Sequence, residues 1–312
     1  MRCHVSAPAR PDDFPSGPIK FLVAFPPVAS ADVIMRAVAA KMQPRLGKPI
    51  VVENKAGASG MLAAGDVAKA DPDGLTLLAA PSSLASNPTL FKSMPFDTLK
   101  DLQPVSPVFR TPLVLIVNAN LPVKSVDELI ALLKQKPGQI YYAHGGPGSA
   151  INLAAEMFQT MTNTKMNGVS YRGTLPALND LIGGQVQLMF ADIGGAIGQI
   201  SAGQVHALAV TSTARVPVLP NVPTIAEAGV PGFEAEGWTL VCAPAATPQP
   251  IVDKLSAEIN LAAATSDVQK LIIQLGTLPT KSPPPAELKT FLASEIDRWG
   301  KLIERSGAAR SL

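Results

Sequence analysis

Residues 19–46 run IKFLVAFPPVASADVIMRAVAAKMQPRL. Ile19–Phe25 is apolar except for Lys20, the pattern of a strand covered on both faces. From Ala31 the apolar residues Val33, Ile34, Ala37, Val38 and Met42 recur at helical spacing as far as Leu46, and Gly47 is a natural stop. Strand, short loop and helix make one βα unit. This unit decides the fold class because it repeats along the chain. Further strands are expected at 50–53, 75–79, 113–118, 140–143, 168–171, 186–190, 206–210 and 238–243. Helices are expected at 60–69, 125–136 (opened by a capping box of Ser125 and Glu128), 150–161, 175–182, 196–201, 248–264, 268–275 and 286–305. Thr224–Ala228 starts with a second T-x-x-E box and reads as a short helix, and 81–107 reads as a loop.

Short βα units imply an α/β fold with mostly parallel sheets and helices on both faces. The 312 residues suffice for about two domains. The last 70 residues or so hold three helices and one convincing strand, so they need a sheet to pack on, and the chain is expected to return to its first lobe. The layout is therefore 18–108 with 222–312 as lobe 1, 109–221 as lobe 2, and 1–17 as a flexible N-terminal segment. Two crossings act as the hinge, near the proline clusters at 107–112 and 217–223.

Composition narrows the function. The chain is 47% hydrophobic and 16% charged, so it can bury sizeable cores. A net charge of +2 from 26 basic and 24 acidic residues offers no nucleic-acid footprint, and 5% aromatics offers few stacking platforms. No apolar run reaches the roughly 20 residues of a membrane-spanning helix, and the first 17 residues lack the apolar core of an export signal. Two cysteines, Cys3 and Cys242, are too few for a structural zinc site and read as an N-terminal thiol and a buried one.

In open α/β sheets ligands bind beyond the carboxyl ends of the strands, so the loops after strands hold the candidate site. Two of them look alike: Pro26-Pro27-Val28-Ala29-Ser30 after the first strand, and His144-Gly145-Gly146-Pro147-Gly148-Ser149 after Ile140–Ala143. Each ends in Ser at a helix start, where a hydroxyl and open amides suit an anion. Ser82 and Ser83 follow another strand, Tyr171-Arg172-Gly173 supplies a cation, and Asp192 supplies a carboxylate. Residues 137–212 contain five charged residues in all, so an anion there would be met mainly by amides, hydroxyls and helix dipoles.

Catalytic readings find little support. His-Gly-Gly stretches build oxyanion holes in α/β-hydrolases, but no G-x-S-x-G elbow exists, and His4, His144 and His206 all precede the last 100 residues. His144 is expected to hydrogen-bond within its loop. There is no G-x-G-x-x-G, no P-loop and no metal-ligand spacing, so no cofactor and no metal are expected.

PIKFLVAFPP…AD, GKPIVVENKAGASG, the DPDG turn and its strand, YRGTLPALNDLIGGQVQLMFADI, AGQVHALAVTS and LPNVPTIAEAGVPGFEAEGW together resemble the Bug-type receptors, the substrate-binding proteins of tripartite tricarboxylate transporters. The resemblance covers about residues 18–306. It implies a periplasmic solute-binding protein of the two-lobed type II fold, with two crossing strands as hinge, no enzymatic activity, a small carboxylate or dicarboxylate in the interlobe cleft, and membrane transporter subunits as partners of a monomer. Carried over, the first-lobe site is Phe25, Val28, Ala29 and Ser30 with Ser82 and Ser83. The second-lobe site is Gly145, Gly146, Gly148 and Ser149 with Tyr171, Arg172, Gly173 and Asp192. The family usually has Gly-Gly after Pro-Pro. Here Val28-Ala29-Ser30 is expected to put side chains where bare backbone would face the ligand, Val28 narrowing the pocket and Ser30 replacing a water. The altered loop and the missing leader favour the alternative reading, an intracellular two-lobed sensor; a serine hydrolase is the remote one.

Overall fold

The computed structural model describes residues 14–312. Cys3, His4 and most of the 1–17 segment lie outside the described residues. Phe14 is buried against the first core, and its carbonyl accepts a hydrogen bond from Lys254 Nζ at 2.6 Å.

The chain begins with β1 (Ile19–Val23), α1 (Ser30–Leu46), β2 (Ile50–Asn54), a 3-10 turn at Ala58–Gly60, α2 (Met61–Val67) and β3 (Thr76–Pro81). β1 pairs in parallel with both β2 and β3, as βα units require. A second parallel trio comprises β5 (Tyr141–His144), β6 (Asn167–Ser170) and β7 (Leu188–Asp192), carrying α6 (Ala150–Thr162), α7 (Thr174–Ile182) and α8 (Ile193–Ser201). The two trios are joined by antiparallel strands, so the ten-stranded sheet is mixed.

The stretch expected to be a loop, 81–107, contains α3 (Ser83–Leu90), α4 (Thr98–Asp101) and the first part of β4 (Leu102–Asn118), a 17-residue strand. Three prolines inside a strand argue against one on sequence grounds, because each removes a ladder donor. The strand accommodates them through register shifts at 104–106 and 107–109, where it bulges against β9 (Glu236–Pro244). β4 pairs with β9 over residues 102–112, then with β7 and β8 (Val205–Val210) from about 113 onward, and so runs through both halves of the molecule.

The second crossing lies at Glu236–Trp238 of β9, paired with Pro112–Arg110, rather than near Pro217–Pro223. Residues 211–235 stay with the second half. The Val210 amide donates to Pro223 O at 2.8 Å and the Ile225 amide to Val210 O at 2.9 Å, the Ala235 amide donates to Thr211 O at 3.1 Å, and the Phe233 ring stacks on Phe190 of β7. The Thr224 box forms as read, with the Glu227 amide on Thr224 Oγ1 at 3.0 Å and the Thr224 amide on Glu227 Oε2 at 2.9 Å. It opens one turn and no helix, because Gly229 (φ 104°) and Pro231 follow within a turn.

α9 (Gln249–Ala263) and α10 (Ser266–Gln274) pack with α1 around Phe21, Met35 and Ile259, and β10 (Leu278–Pro279) adds a short antiparallel edge to β4. α11 (Pro285–Arg305) crosses behind the junction, where buried Glu295 accepts from the indoles of both Trp238 and Trp299 at 3.0 Å. α5 (Val126–Gln135) keeps its cap, Ser125 Oγ accepting the Glu128 amide at 3.2 Å. Among the described residues no helix is long and apolar enough to cross a membrane.

Candidate functional site

A cavity of about 290 Å³ lies where the two halves of the sheet meet. One wall is the head of α3 with its approach: Pro81, Ser82, Ser83 and Ser86. Facing it is the head of α6, with Gly148, Ser149, Ala150 and Leu153. Phe25 and Ser59 close one side. The crossing strands form the floor through Thr111, Leu113, Gly237 and Trp238, with Asp192 and Glu236 at its edges and Trp299 behind.

Each wall is held by its own hydrogen bonds. Ser83 Oγ and Asn87 Nδ2 both donate to the Ser59 carbonyl, at 2.7 and 3.0 Å, tying the loop before α2 to α3. Ser82 is left with no hydrogen-bond partner for its hydroxyl among the described residues. In the facing wall Ser149 caps α6, its Oγ accepting the Asn152 amide at 3.3 Å and donating to Gly146 O at 2.8 Å. Asn152 Oδ1 accepts the Gly148 amide at 2.9 Å, Asn152 Nδ2 donates to the Tyr142 hydroxyl, and that hydroxyl donates to Glu156, both at 2.9 Å. Of the orphan amides that every helix start carries, those of Ala150 and Ile151 remain open. Gly148 (φ 71°) touches the opposite wall so closely that a Cβ there would lie 2.1 Å from Leu90 Cδ1.

Six of the residues picked from sequence meet in this cavity: Phe25, Ser82, Ser83, Gly148, Ser149 and Asp192. Val28, Ala29 and Ser30 do not line it. Val28 is 83% exposed, so its side chain neither narrows the pocket nor makes it apolar, and the expected substitution of a water by Ser30 finds no place on the wall. Gly145 and Gly146 lie in the turn behind Gly148. There His144 Nδ1 accepts the Gly146 amide at 3.0 Å, and burial pushes the imidazole below its ordinary pKa, so His144 is the loop hydrogen-bonder expected of it. Tyr171, Arg172 and Gly173 form a turn that does not line the cavity, with Arg172 and Gly173 exposed and half-buried Tyr171 donating to Asp180 Oδ2 at 2.8 Å.

Sequence reading missed the floor. Thr111, Leu113, Glu236 and Trp238 belong to the crossing strands and not to loops after strands. Ser86 was within reach, since it lies on the same helix face as Ser82 and Ser83. The electrostatics of the floor are acidic. Asp192 occupies the N-cap position of α8 without capping it and lines the cavity with its side chain exposed. Glu236 is buried and pairs through Oε2 with Arg110 at 2.7 Å, while its Oε1 has no partner among the described residues. Burial raises its carboxyl and Arg110 lowers it, with the net direction upward. Among the described residues the cavity lining holds no Lys and no Arg, although Arg110 pairs with Glu236 at its edge.

Residues 34–308 match the family described as tripartite tricarboxylate transporter family receptor, TctC. The chain is 39% identical over 306 residues to protein BugT of Bordetella pertussis, covering 97% of this chain and 94% of that protein. Among solved structures it resembles Rpa4515 of R. palustris with adipate (TM-score 0.82, 33% identity, 95% of this chain and 99% of that one). It also resembles the periplasmic binding protein BugD (TM-score 0.79, 33% identity, the same coverage). These likenesses extend over both halves of the sheet and the cavity between them. The chain belongs to the tripartite tricarboxylate transporter receptor family.

Proposed function

We propose that the protein is an extracytoplasmic solute receptor that holds a small carboxylate in the cavity between its lobes and delivers it, as a monomer, to membrane transporter subunits. The observation that carries this reading is the meeting of two helix N-termini, α3 and α6, across one cavity at the junction of the two half-sheets. Open amides, the free Ser82 hydroxyl and two helix dipoles hold an anion without a buried ion pair, which suits reversible binding. The relative solved with adipate shows that a protein of this fold accepts a small carboxylate. One lobe comprises the chain up to about residue 111 and from 236 onward, the other the residues between. β4 and β9 are the hinge about which ligand shifts the balance toward the closed form that a transporter recognises.

A thermal-shift panel of mono-, di- and tricarboxylates and aromatic acids tests the reading. A ligand at 100 times its Kd stabilises the folded protein by roughly 2.7 kcal/mol. Ser149→Ala is expected to weaken that ligand while the protein stays folded. No shift with any acid at millimolar concentration would sink the proposal.

A further inference from the structure

We propose that Glu295, which does not itself line the ligand cavity, is a positioning residue for binding: it sets Trp238 and Trp299 as the apolar floor and back of that cavity. The inference rests on the receptor reading above and assigns a further residue to its site.

The chain has two tryptophans, and both line the cavity. They come from different elements, Trp238 from β9 at the crossing and Trp299 from α11. One oxygen holds both. Glu295 Oε2 accepts the indole N–H of Trp238 and that of Trp299, each at 3.0 Å, while Oε1 accepts from Arg298 Nη1 at 3.3 Å. A carboxylate suits three converging donors because it only accepts. Packing completes the hold: Phe291 meets the Trp238 ring edge to face with centroids 5.8 Å apart, and the Arg298 guanidinium lies 4.9 Å from the Trp299 ring centroid.

With both N–H groups bound to Glu295, the indoles present carbon to the cavity and no donor. Polar recognition is left to the helix heads, with the Ser82 hydroxyl and the open amides of α6, and the tryptophans cover the hydrocarbon part of the ligand. An indole released from Glu295 must turn its N–H into the cavity or leave it buried without a partner, and either changes the surface the ligand meets. Because Trp238 lies on one of the two strands that form the hinge, the same carboxylate also ties the cavity floor to α11.

Calorimetric titration with the acid panel, adipate first, and the intrinsic fluorescence of the two tryptophans test the assignment on three variants. Glu295→Leu is similar in size and accepts nothing. Glu295→Gln can keep both indoles on its amide oxygen and gives up only the contact with Arg298. Glu295→Asp keeps the charge but falls one methylene short of the indoles. Glu295→Leu is expected to shift the emission of the unliganded protein and to weaken the tightest acid about tenfold, whereas Glu295→Gln stays within about threefold of the wild type. A purely structural role would lower the Tm of Glu295→Leu and leave Kd unchanged, and that result overturns the inference. Equal losses in Glu295→Leu and Glu295→Gln overturn it too, because they trace the effect to charge and not to the indoles. Should Glu295→Leu fail to fold, Glu295→Asp decides: weaker binding with shifted emission supports the assignment, and wild-type Kd and emission sink it. In each of these failures the receptor reading stands. If no acid of the panel binds the wild type at millimolar concentration, both fall together.

Discussion

The loops entering α1 and α6 look like repeats in sequence, and the structure shows that they are, displaced by one residue from the match their serines suggest. Val28 and Gly148 are the equivalent left-handed residues, with φ of 67° and 71°. Ala29 and Ser149 are the equivalent N-caps, with φ, ψ of −63°, 155° and −63°, 153°. Asp32 and Asn152, four residues after each left-handed residue, accept the amides of Val28 and Gly148 at 2.8 and 2.9 Å. Here the likeness ends. Asn152 is held from inside by Tyr142 and Glu156, and its loop forms a cavity wall. Asp32 is held by Arg36 Nε at 2.9 Å and Asn54 Nδ2 at 2.8 Å, and its loop offers the cavity only Phe25, whose carbonyl Asn54 also binds. One backbone design thus serves as a binding wall in one lobe and as a brace in the other. What differs is whether the left-handed residue faces protein or water.

That difference is most exposed at Gly148. A valine there would copy the first loop, but its Cβ would sit 2.1 Å from Leu90 in addition to the left-handed strain of a β-branched residue. Gly148→Val is expected to cost about 3 kcal/mol in urea unfolding, strain and overpacking together. With Leu90→Ala, itself costly because Leu90 is buried in the core, the double variant should lose less than the sum of the two single losses, because the methyls that clash are then gone. A loss below about 1 kcal/mol would mean that the walls do not meet there.

A smaller effect is expected from the brace. Burial pushes the Asp32 carboxyl up, but hydrogen bonds from the Val28 amide and Asn54, with Arg36, bring it below its ordinary value. The unfolded chain, at about 3.9, then binds more protons than the folded one, so the brace contributes stability that is present above the unfolded value and lost as pH falls through the folded one. Asp32→Asn puts an amide among donors and is expected to cost about 2 kcal/mol at pH 7. It should also remove this contribution from the acid limb of the stability curve below about pH 4. An unchanged acid limb would show that the second loop's uncharged arrangement serves equally well in the first.

The offset between the loops explains how much was legible. Pairing Ser30 with Ser149 matched residue types, whereas the structure matches backbone states, and a left-handed valine leaves no trace in a sequence. Ser82 and Ser83 were chosen as hydroxyls after a strand and not as the head of α3, whereas the βα alternation followed from periodicity, which is local, as did the cap at Ser149. β4 did not, because Pro104, Pro107 and Pro112 lie in a strand that tolerates them by bulging against β9, a partner more than 120 residues away. The cavity floor was hidden for the same reason: Thr111 and Glu236 converge only through that pairing. Arg172 was chosen as the scarce cation of its region, but scarcity says nothing of direction, and its turn faces water.

The smallest expected effect separates brace from wall most cleanly. Val28 carries the strain of a β-branched residue at φ 67° with its side chain 83% exposed, so it gains little packing in return. Val28→Gly removes strain worth about 1–2 kcal/mol and gives back about 0.5–1 kcal/mol through the greater freedom of glycine in the unfolded chain. The balance is a stabilisation of about 0.5 kcal/mol, a rise of one to two degrees in Tm on the scaling for a domain of this size. Because the side chain is off the cavity wall, the ligand's Kd should not move. A stabilised protein with unchanged affinity would establish the first loop as a brace whose valine is tolerated strain. A change in affinity of more than about threefold, roughly 0.6 kcal/mol, would place Val28 in contact with the ligand in the closed form and make the two loops a pair of binding walls after all.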